Sequence, residues 1–200
     1  MHATRLTFTR RAATLIGAAL LFIPAFAPAQ SGSEAAWQAL KGGAIVLLRH
    51  ANAPGVGDPP GFKLEDCATQ RNVDADGQAQ ALAIGKAFAA HGVTVGAVWS
   101  SAWCRAKETA GLAFPGKVRL EPMFNSVFGD KTLESVKTPS ARDLLLGWSG
   151  PGALVVVSHQ VNIQALTGVA PRAGEGVVVK AREGRVEVVG RIEAPVPGAR

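Results

Sequence analysis

The sequence has few cysteines and no clusters of basic residues. It contains two cysteines, Cys67 and Cys104, and neither a CxxC nor an HxxxH spacing, so it carries no recognisable zinc-binding pattern. It also has no run of lysine and arginine of the kind that marks nucleic-acid binding. These absences argue against a zinc-binding domain and a nucleic-acid-binding domain.

The chain also lacks an uninterrupted apolar run of about 20 residues, which a transmembrane helix needs. Three arginines precede an apolar stretch over residues 12–26, and Pro24 and Pro28 cut this stretch short. The pattern predicts a secretory signal peptide over residues 1–29 and a single domain over residues 30–200. We therefore expect a periplasmic or secreted protein with no stable membrane anchor once the signal is removed, while the export route stays open.

The net charge of the predicted mature chain is small. The whole chain carries +6, but residues 1–29 hold three of its 21 basic residues and none of its 15 acidic ones. Removal of the signal leaves 18 basic and 15 acidic residues, a net charge of +3. An anion is therefore expected to bind in a pocket rather than across a broad basic face.

The two cysteines fit an exported protein. In an oxidising compartment an even pair of cysteines can form a disulfide, here between Cys67 and Cys104. Two buried free thiols are the alternative.

Apolar runs that alternate with helix-like segments indicate the fold class. Alternation of this kind favours an α/β domain, a three-layer α/β/α sandwich with a largely parallel sheet. The predicted strands cover residues 44–48, 93–99, 117–121, 153–158 and 176–181.

Three helices are predicted between these strands. The clearest covers residues 76–91, where apolar residues form one broad stripe and Gly92 follows as a stop signal. A second begins near Ser101, with Ser100 or Ser101 as its cap. A third covers residues 162–168.

Polar residues follow two of the buried strands. Arg49 and His50 end the first, and His159 follows the strand over residues 153–158. Ligands of open α/β sheets bind beyond the carboxyl ends of the strands, and Arg105 is expected at the same rim on the second helix. Histidine can attack phosphorus while arginines hold the phosphoryl oxygens, so the cluster suits phosphoryl transfer.

Three segments carry a family resemblance. "LLRHA", "SSAWCRAKETA" and "VVSHQVNIQALTG" resemble the signature segments of the histidine phosphatase superfamily, in its small exported branch. The resemblance implies a phosphoglycerate-mutase-like fold and no metal or other cofactor. It also implies that His50 is the phosphorylated nucleophile and that Arg49, Arg105 and His159 form the phosphate pocket.

Further site residues follow from the resemblance. Family members often carry a glutamate three residues before an aromatic residue, and Glu121 stands in this relation to Phe124, which makes it the candidate general acid. Asp130 is the alternative acid.

Two residues are candidates for substrate contacts. Arg71 lies in "CATQRNV", a variant found in small exported members, and a Cys67–Cys104 bridge would hold this stretch beside Arg105. Asn52 is the second candidate. The glycine- and proline-rich loop over residues 54–61 is expected to cover the mouth of the pocket.

The resulting functional prediction is an exported, metal-independent phosphomonoesterase. Its expected partner is a phosphorylated small molecule or a phosphate of a cell-envelope glycan. Two alternatives stay open: a non-catalytic module that binds or senses a phosphorylated ligand in the same pocket, and a phosphatase of phosphohistidine proteins.

Overall fold

The computed structural model describes residues 32–194. The predicted signal peptide over residues 1–29 lies outside the described residues. Within the described range, no helix is long and apolar enough to cross a membrane.

The described chain forms a six-stranded mixed sheet in the order β3-β2-β4-β1-β5-β6. Strands β1 to β4 run parallel, and β5 and β6 are antiparallel additions at one side. The strands are β1 Ile45–Arg49, β2 Val95–Ser100, β3 Val118–Leu120, β4 Ala153–Ser158, β5 Gly176–Arg182 and β6 Arg185–Ile192.

Helices cover both faces of this sheet. They are α1 Gly32–Lys41, α2 Ala75–Ala90, α3 Cys104–Ala113, α4 Lys131–Leu146 and α5 Gln160–Thr167. Helices α1, α2 and α3 pack on one face, and α4 and α5 pack on the other. The predicted three-layer α/β/α sandwich is therefore confirmed.

The central strand β1 shows why its apolar run is continuous. Val46 and Leu48 belong to the core beneath α1 to α3, whereas Ile45 and Leu47 belong to the core beneath α4 and α5. A strand buried on both faces needs apolar residues at every position. The carboxyl end of β1 is thus held in position by side chains that pack in both cores.

The prediction of a serine cap on α3 is wrong. The helix begins at Cys104, its N-cap residue is Trp103, and no side chain caps it. The Ser101 hydroxyl lies too early in the chain for this role and instead accepts a hydrogen bond from the Trp103 N–H at 3.2 Å. Ser101 is therefore part of the turn before the helix.

The structure contains the disulfide between Cys67 and Cys104. The bond joins a short 3₁₀ helix, Cys67–Thr69, to the first residue of α3. The prediction of a bridge is confirmed, and the alternative of free thiols is wrong. One half of the bridge directly precedes Arg105, so the bond ties the loop after β1 to the predicted phosphate site.

We expect the double variant Cys67→Ala/Cys104→Ala to lose about 3–4 kcal/mol of unfolding free energy. The bridge closes a loop with a sequence separation of 37, which restricts the unfolded chain. Urea denaturation of oxidised wild type and variant measures the loss.

We also expect the KM of this double variant for an aryl phosphate to rise severalfold, because the loop and α3 are no longer joined beside Arg105. Unchanged kinetics would contradict a coupling between the bridge and the site.

Candidate active site

The sheet brings the two strand-end histidines together. Strands β1 and β4 are parallel neighbours with Arg49 opposite Ser158, so His50 and His159 leave the same edge of the sheet. Their ring centroids lie 5.4 Å apart. Both side chains are buried. The topology therefore brings His50 and His159 together at one edge of the sheet, as the sequence predicts.

These histidines lie in a pocket of about 230 Å³. Arg105 reaches it from α3, and the first turn of α5 contributes two more residues. The lining residues come from five separate parts of the chain: Arg49, His50, Gly55, Val56, Gly57, Arg71, Arg105, Ser126, Phe128, His159, Gln160 and Val161. Cations line its inner part, and the start of a helix adds N–H groups that favour an anion.

The ring of His50 has a defined tautomer. Its Nδ1 atom lies 2.8 Å from the carbonyl oxygen of Ala51, which can only accept a hydrogen bond, so Nδ1 carries the hydrogen. The Nε2 atom of the neutral ring therefore keeps its lone pair. Burial, and then the charges of the surrounding arginines, lower the pKa of His50 to about 3 in spite of the hydrogen bond to Ala51. His50 is therefore a neutral imidazole at ordinary pH, with the free nitrogen lone pair that a nucleophile needs.

His159 is held by Ser101. The Nε2 atom of His159 lies 2.8 Å from the Ser101 hydroxyl oxygen, and the Trp103 ring packs edge-on against the imidazole. Burial, and then the charges of His50 and the arginines, lower the pKa of His159 well below its usual value. Ser101 is a contact that sequence reasoning missed, since its pattern suggested only a helix cap.

Two guanidinium groups are anchored and still keep a free donor. The Arg49 Nη1 atom donates to the Gln160 side-chain oxygen at 2.8 Å and to the Pro171 carbonyl at 3.0 Å. Arg105 is held by Asp58. In the part of the chain that the structure describes, the buried Nε atoms of Arg49 and Arg105 have no hydrogen-bond partner. Each guanidinium is thus fixed by some of its donors and keeps a donor that no other group of the described chain uses.

Asp58 is the acidic residue that sequence reasoning missed. Its Oδ1 accepts from Arg105 Nη1 at 2.7 Å, and its Oδ2 accepts from Arg105 Nη2 at 3.2 Å and from Trp103 Nε1 at 3.0 Å. Burial alone would raise the pKa of Asp58, but the hydrogen bonds from Arg105, the Arg71 N–H and Trp103 lower it below its usual value. Asp58 is a fixed anion that orients Arg105, and no local sequence signal links two residues so far apart.

Arg71 lies at the pocket, where the sequence placed it. Its Nε donates to the Gly57 carbonyl at 2.8 Å, and its Nη1 donates to the Ala53 carbonyl. Arg71 therefore holds the loop over residues 54–61 against the site, and three residues of that loop line the pocket.

The structure does not bring the predicted acids into this pocket. Glu121 is the N-cap of a 3₁₀ helix, Pro122–Phe124, where it accepts from the Met123 N–H at 3.4 Å and pairs with Arg119 at 3.0 Å. It lines a separate depression beside Trp99. Asp130 is the N-cap of α4 and accepts from the Leu133 N–H at 2.8 Å. Both carboxylates serve helix starts, which is why they point away.

Asn52 is also placed elsewhere. Its side-chain amide donates to both carboxylate oxygens of Asp74, at 3.2 and 3.1 Å, and its backbone N–H donates to Gln80. Asp74 in turn caps α2. Asn52 therefore joins the end of the β1 segment to α2 and does not line the pocket.

We expect Glu121→Gln to leave kcat for phosphate esters within about twofold of wild type. The side chain lies outside the pocket, and glutamine can still accept the cap hydrogen bond from Met123. Steady-state kinetics with one aryl and one alkyl phosphate measures the effect. A loss of kcat confined to the alkyl ester would contradict this placement and restore Glu121 as the acid.

We expect stability to fall as pH drops from 6.5 to 4.5. The unfolded chain protonates His50 near its usual pKa, whereas the folded chain keeps it neutral down to about 3. The unfolded state then binds more protons, so His50 alone costs about 2 kcal/mol of unfolding free energy over this interval. Urea denaturation at both pH values should show a loss about 2 kcal/mol smaller in His50→Asn. Equal losses in variant and wild type would contradict the buried neutral state.

The fold occurs in solved structures of phosphatases and mutases. The protein histidine phosphatase SixA complexed with tungstate is 15% identical, with a TM-score of 0.54 over 76% of this chain and 97% of that one. Phosphoserine phosphatase from Entamoeba histolytica is 15% identical, with a TM-score of 0.55 over 75% and 96% of the two chains. Phosphoglycerate mutase from Thermus thermophilus is 18% identical, with a TM-score of 0.51 over 76% and 99%.

These comparisons establish the fold. The predicted phosphoglycerate-mutase-like fold is therefore confirmed. A comparison with family models gives no match, and a comparison with curated proteins gives none either.

Proposed function

We propose that this chain is an exported phosphomonoesterase of the histidine phosphatase type, with His50 as the nucleophile. One observation carries the proposal. The lone pair of His50 Nε2 belongs to a buried neutral imidazole in a pocket that the guanidinium groups of Arg49 and Arg105 also line. A nucleophile and oxyanion donors meet there.

The charge of the pocket supports a phosphate ester as the substrate. Three guanidinium groups, those of Arg49, Arg71 and Arg105, line it, and one of them is paired with the carboxylate of Asp58. With both histidines neutral, the site carries an excess of two positive charges. A phosphomonoester dianion balances this charge.

The reaction then proceeds in two displacements. The Nε2 atom of His50 attacks phosphorus, an N–P bond forms, and the P–O bond to the alcohol breaks with its electron pair on the leaving oxygen. Arg49, Arg105 and His159 hold the nonbridging oxygens while charge shifts. Water then attacks the phosphohistidine, the N–P bond breaks, and orthophosphate leaves with His50 restored.

The leaving alcohol needs a proton unless it is a stable anion. None of the pocket-lining residues in the described chain is a carboxylic acid, and Asp58 is held as an anion by Arg105. A phenolate leaves without a proton, whereas an alkoxide does not. Aryl phosphates should therefore be hydrolysed faster than alkyl phosphates.

Export is supported by two features. The predicted signal peptide covers residues 1–29, and the disulfide between Cys67 and Cys104 is typical of proteins in oxidising compartments. The proposed location is the periplasm or the extracellular medium. The proposed substrate is a phosphorylated small molecule or an envelope glycan phosphate met in that compartment.

Hydrolysis of 4-nitrophenyl phosphate tests the proposal, with vanadate binding measured in parallel. We expect turnover and competitive inhibition by vanadate. A folded protein that binds vanadate without any turnover would overturn the enzymatic proposal and favour the phospho-ligand binding module. The same assay in excess chelator tests the expectation that turnover needs no metal ion.

A further inference from the structure

The mouth of the pocket is apolar although its floor is charged. Val56 and Phe128, both lining residues, are 88% and 58% exposed. Val56 comes from the loop after β1, and Phe128 precedes α4. We call these two side chains the apolar rim. Isolated exposed apolar residues are common, but two at the mouth of one pocket indicate that an apolar group of a ligand contacts them.

The loop geometry fixes the apolar rim. Gly55 and Gly57, on either side of Val56, have φ values of +91° and +71°, which favour glycine and set the position of the residue between them. A Cβ atom on Gly57 would lie 3.6 Å from the Phe128 ring, so the ring already packs beside the loop backbone. The two sides of the rim therefore adjoin.

The charged floor anchors the same loop. Gly57 accepts a hydrogen bond from Arg71, and the next residue, Asp58, pairs with Arg105 at 2.7 Å. Residues that bind the loop thus also line the pocket. The distance between the phosphate site and the apolar rim is set by these contacts, as a specificity element requires.

When the phosphoryl group of an ester is bound at the floor, only the alcohol portion of that ester can reach the mouth of the pocket. We infer that the alcohol of the substrate carries an apolar ring or branched chain that extends from the ester oxygen to the mouth of the pocket and packs against Val56 and Phe128. The inference rests on the proposed function and favours its phosphorylated small molecule over its glycan phosphate, because a sugar hydroxyl surface would leave the apolar rim exposed. Contact with such a group removes apolar surface on both sides from water.

Two aryl phosphates with phenols of similar acidity test the inference. These are 4-tert-butylphenyl phosphate and 4-(2-hydroxyethyl)phenyl phosphate, which differ in the polarity of the group that reaches the mouth. We expect kcat/KM about tenfold higher for the tert-butyl ester, from the apolar area that its substituent buries. Equal values would overturn the inference and leave the proposed function intact.

Variants test whether the apolar rim causes the preference for the tert-butyl ester. Phe128→Ser should lower the ratio of the two kcat/KM values to about twofold or less, while Phe128→Leu should keep it above about fivefold. Val136→Ser is the matched control, since Val136 is 65% exposed on α4 and does not line the pocket. A ratio that Phe128→Ser leaves unchanged, or that Val136→Ser lowers equally, would overturn the role of the rim.

Binding measurements separate this inference from the proposed function. Calorimetry with the matching benzylic phosphonates, which cannot be hydrolysed at the carbon–phosphorus bond, reports affinity without turnover. Tighter binding of the tert-butyl phosphonate supports the inference even in a protein that hydrolyses neither ester. Equal affinities would overturn it in either case.

Discussion

Replacing His50 with alanine should lower turnover of an aryl phosphate by about 10⁴-fold or more. The variant loses the atom that forms the N–P bond, and the guanidinium groups cannot substitute for it. The fold should survive, because alanine leaves the two cores on either side of β1 untouched. Kinetics with 4-nitrophenyl phosphate, beside circular dichroism of the same preparation, measures both.

His50→Asn is the companion variant. Its side-chain amide can still donate to the Ala51 carbonyl, so it retains the hydrogen bond of the imidazole without the nucleophilic nitrogen. It should be as inactive as His50→Ala and should still bind vanadate. Substantial turnover in either folded variant would show that another group attacks phosphorus.

Arg105→Lys should lower kcat/KM by about 10²- to 10³-fold. Lysine keeps the positive charge beside the buried Asp58, so the ion pair that stabilises the loop is not left uncompensated. Its single nitrogen cannot form the two parallel hydrogen bonds to Asp58 that hold the planar guanidinium in place at the pocket. The lost charge-assisted hydrogen bonds account for the size of the effect.

Arg119→Lys is the matched control for that loss. Arg119 lies over the Trp99 ring and pairs with Glu121, outside the pocket. Its replacement should leave kcat/KM within about twofold of wild type. A small effect at Arg105, or an equal effect at Arg119, would contradict the assignment of Arg105 to the phosphoryl group.

The sequence predicts the central strands well and the outer elements poorly. The runs that form β1 and β4 are apolar at every position but the last because helices cover both faces. Helix α4 was not predicted, because it buries only Ala141 and Leu145 and so shows no broad apolar stripe, and because it contains Pro139 in its interior. Helix α1 and strand β6 also went unpredicted, and only the last residue of β6 is buried.

The candidate site shows the same division. Arg49, His50 and His159 could be predicted because parallel neighbouring strands end at one edge of the sheet. Asp58 could not, since its pairing with Arg105 depends on how a loop of glycines and prolines folds back on α3. Glu121 directly precedes Pro122, a pattern typical of a helix start, and this signal indicates its structural role.

The most direct test of the account is to trap the covalent intermediate. The purified protein is mixed with 4-nitrophenyl phosphate, quenched in alkali, which preserves phosphohistidine, and digested for mass spectrometry. We expect one phosphoryl group on the peptide that contains His50, formed at the rate of the nitrophenolate burst and absent from His50→Asn. Turnover with no phosphorylated peptide, or with the phosphoryl group on another residue, would contradict it.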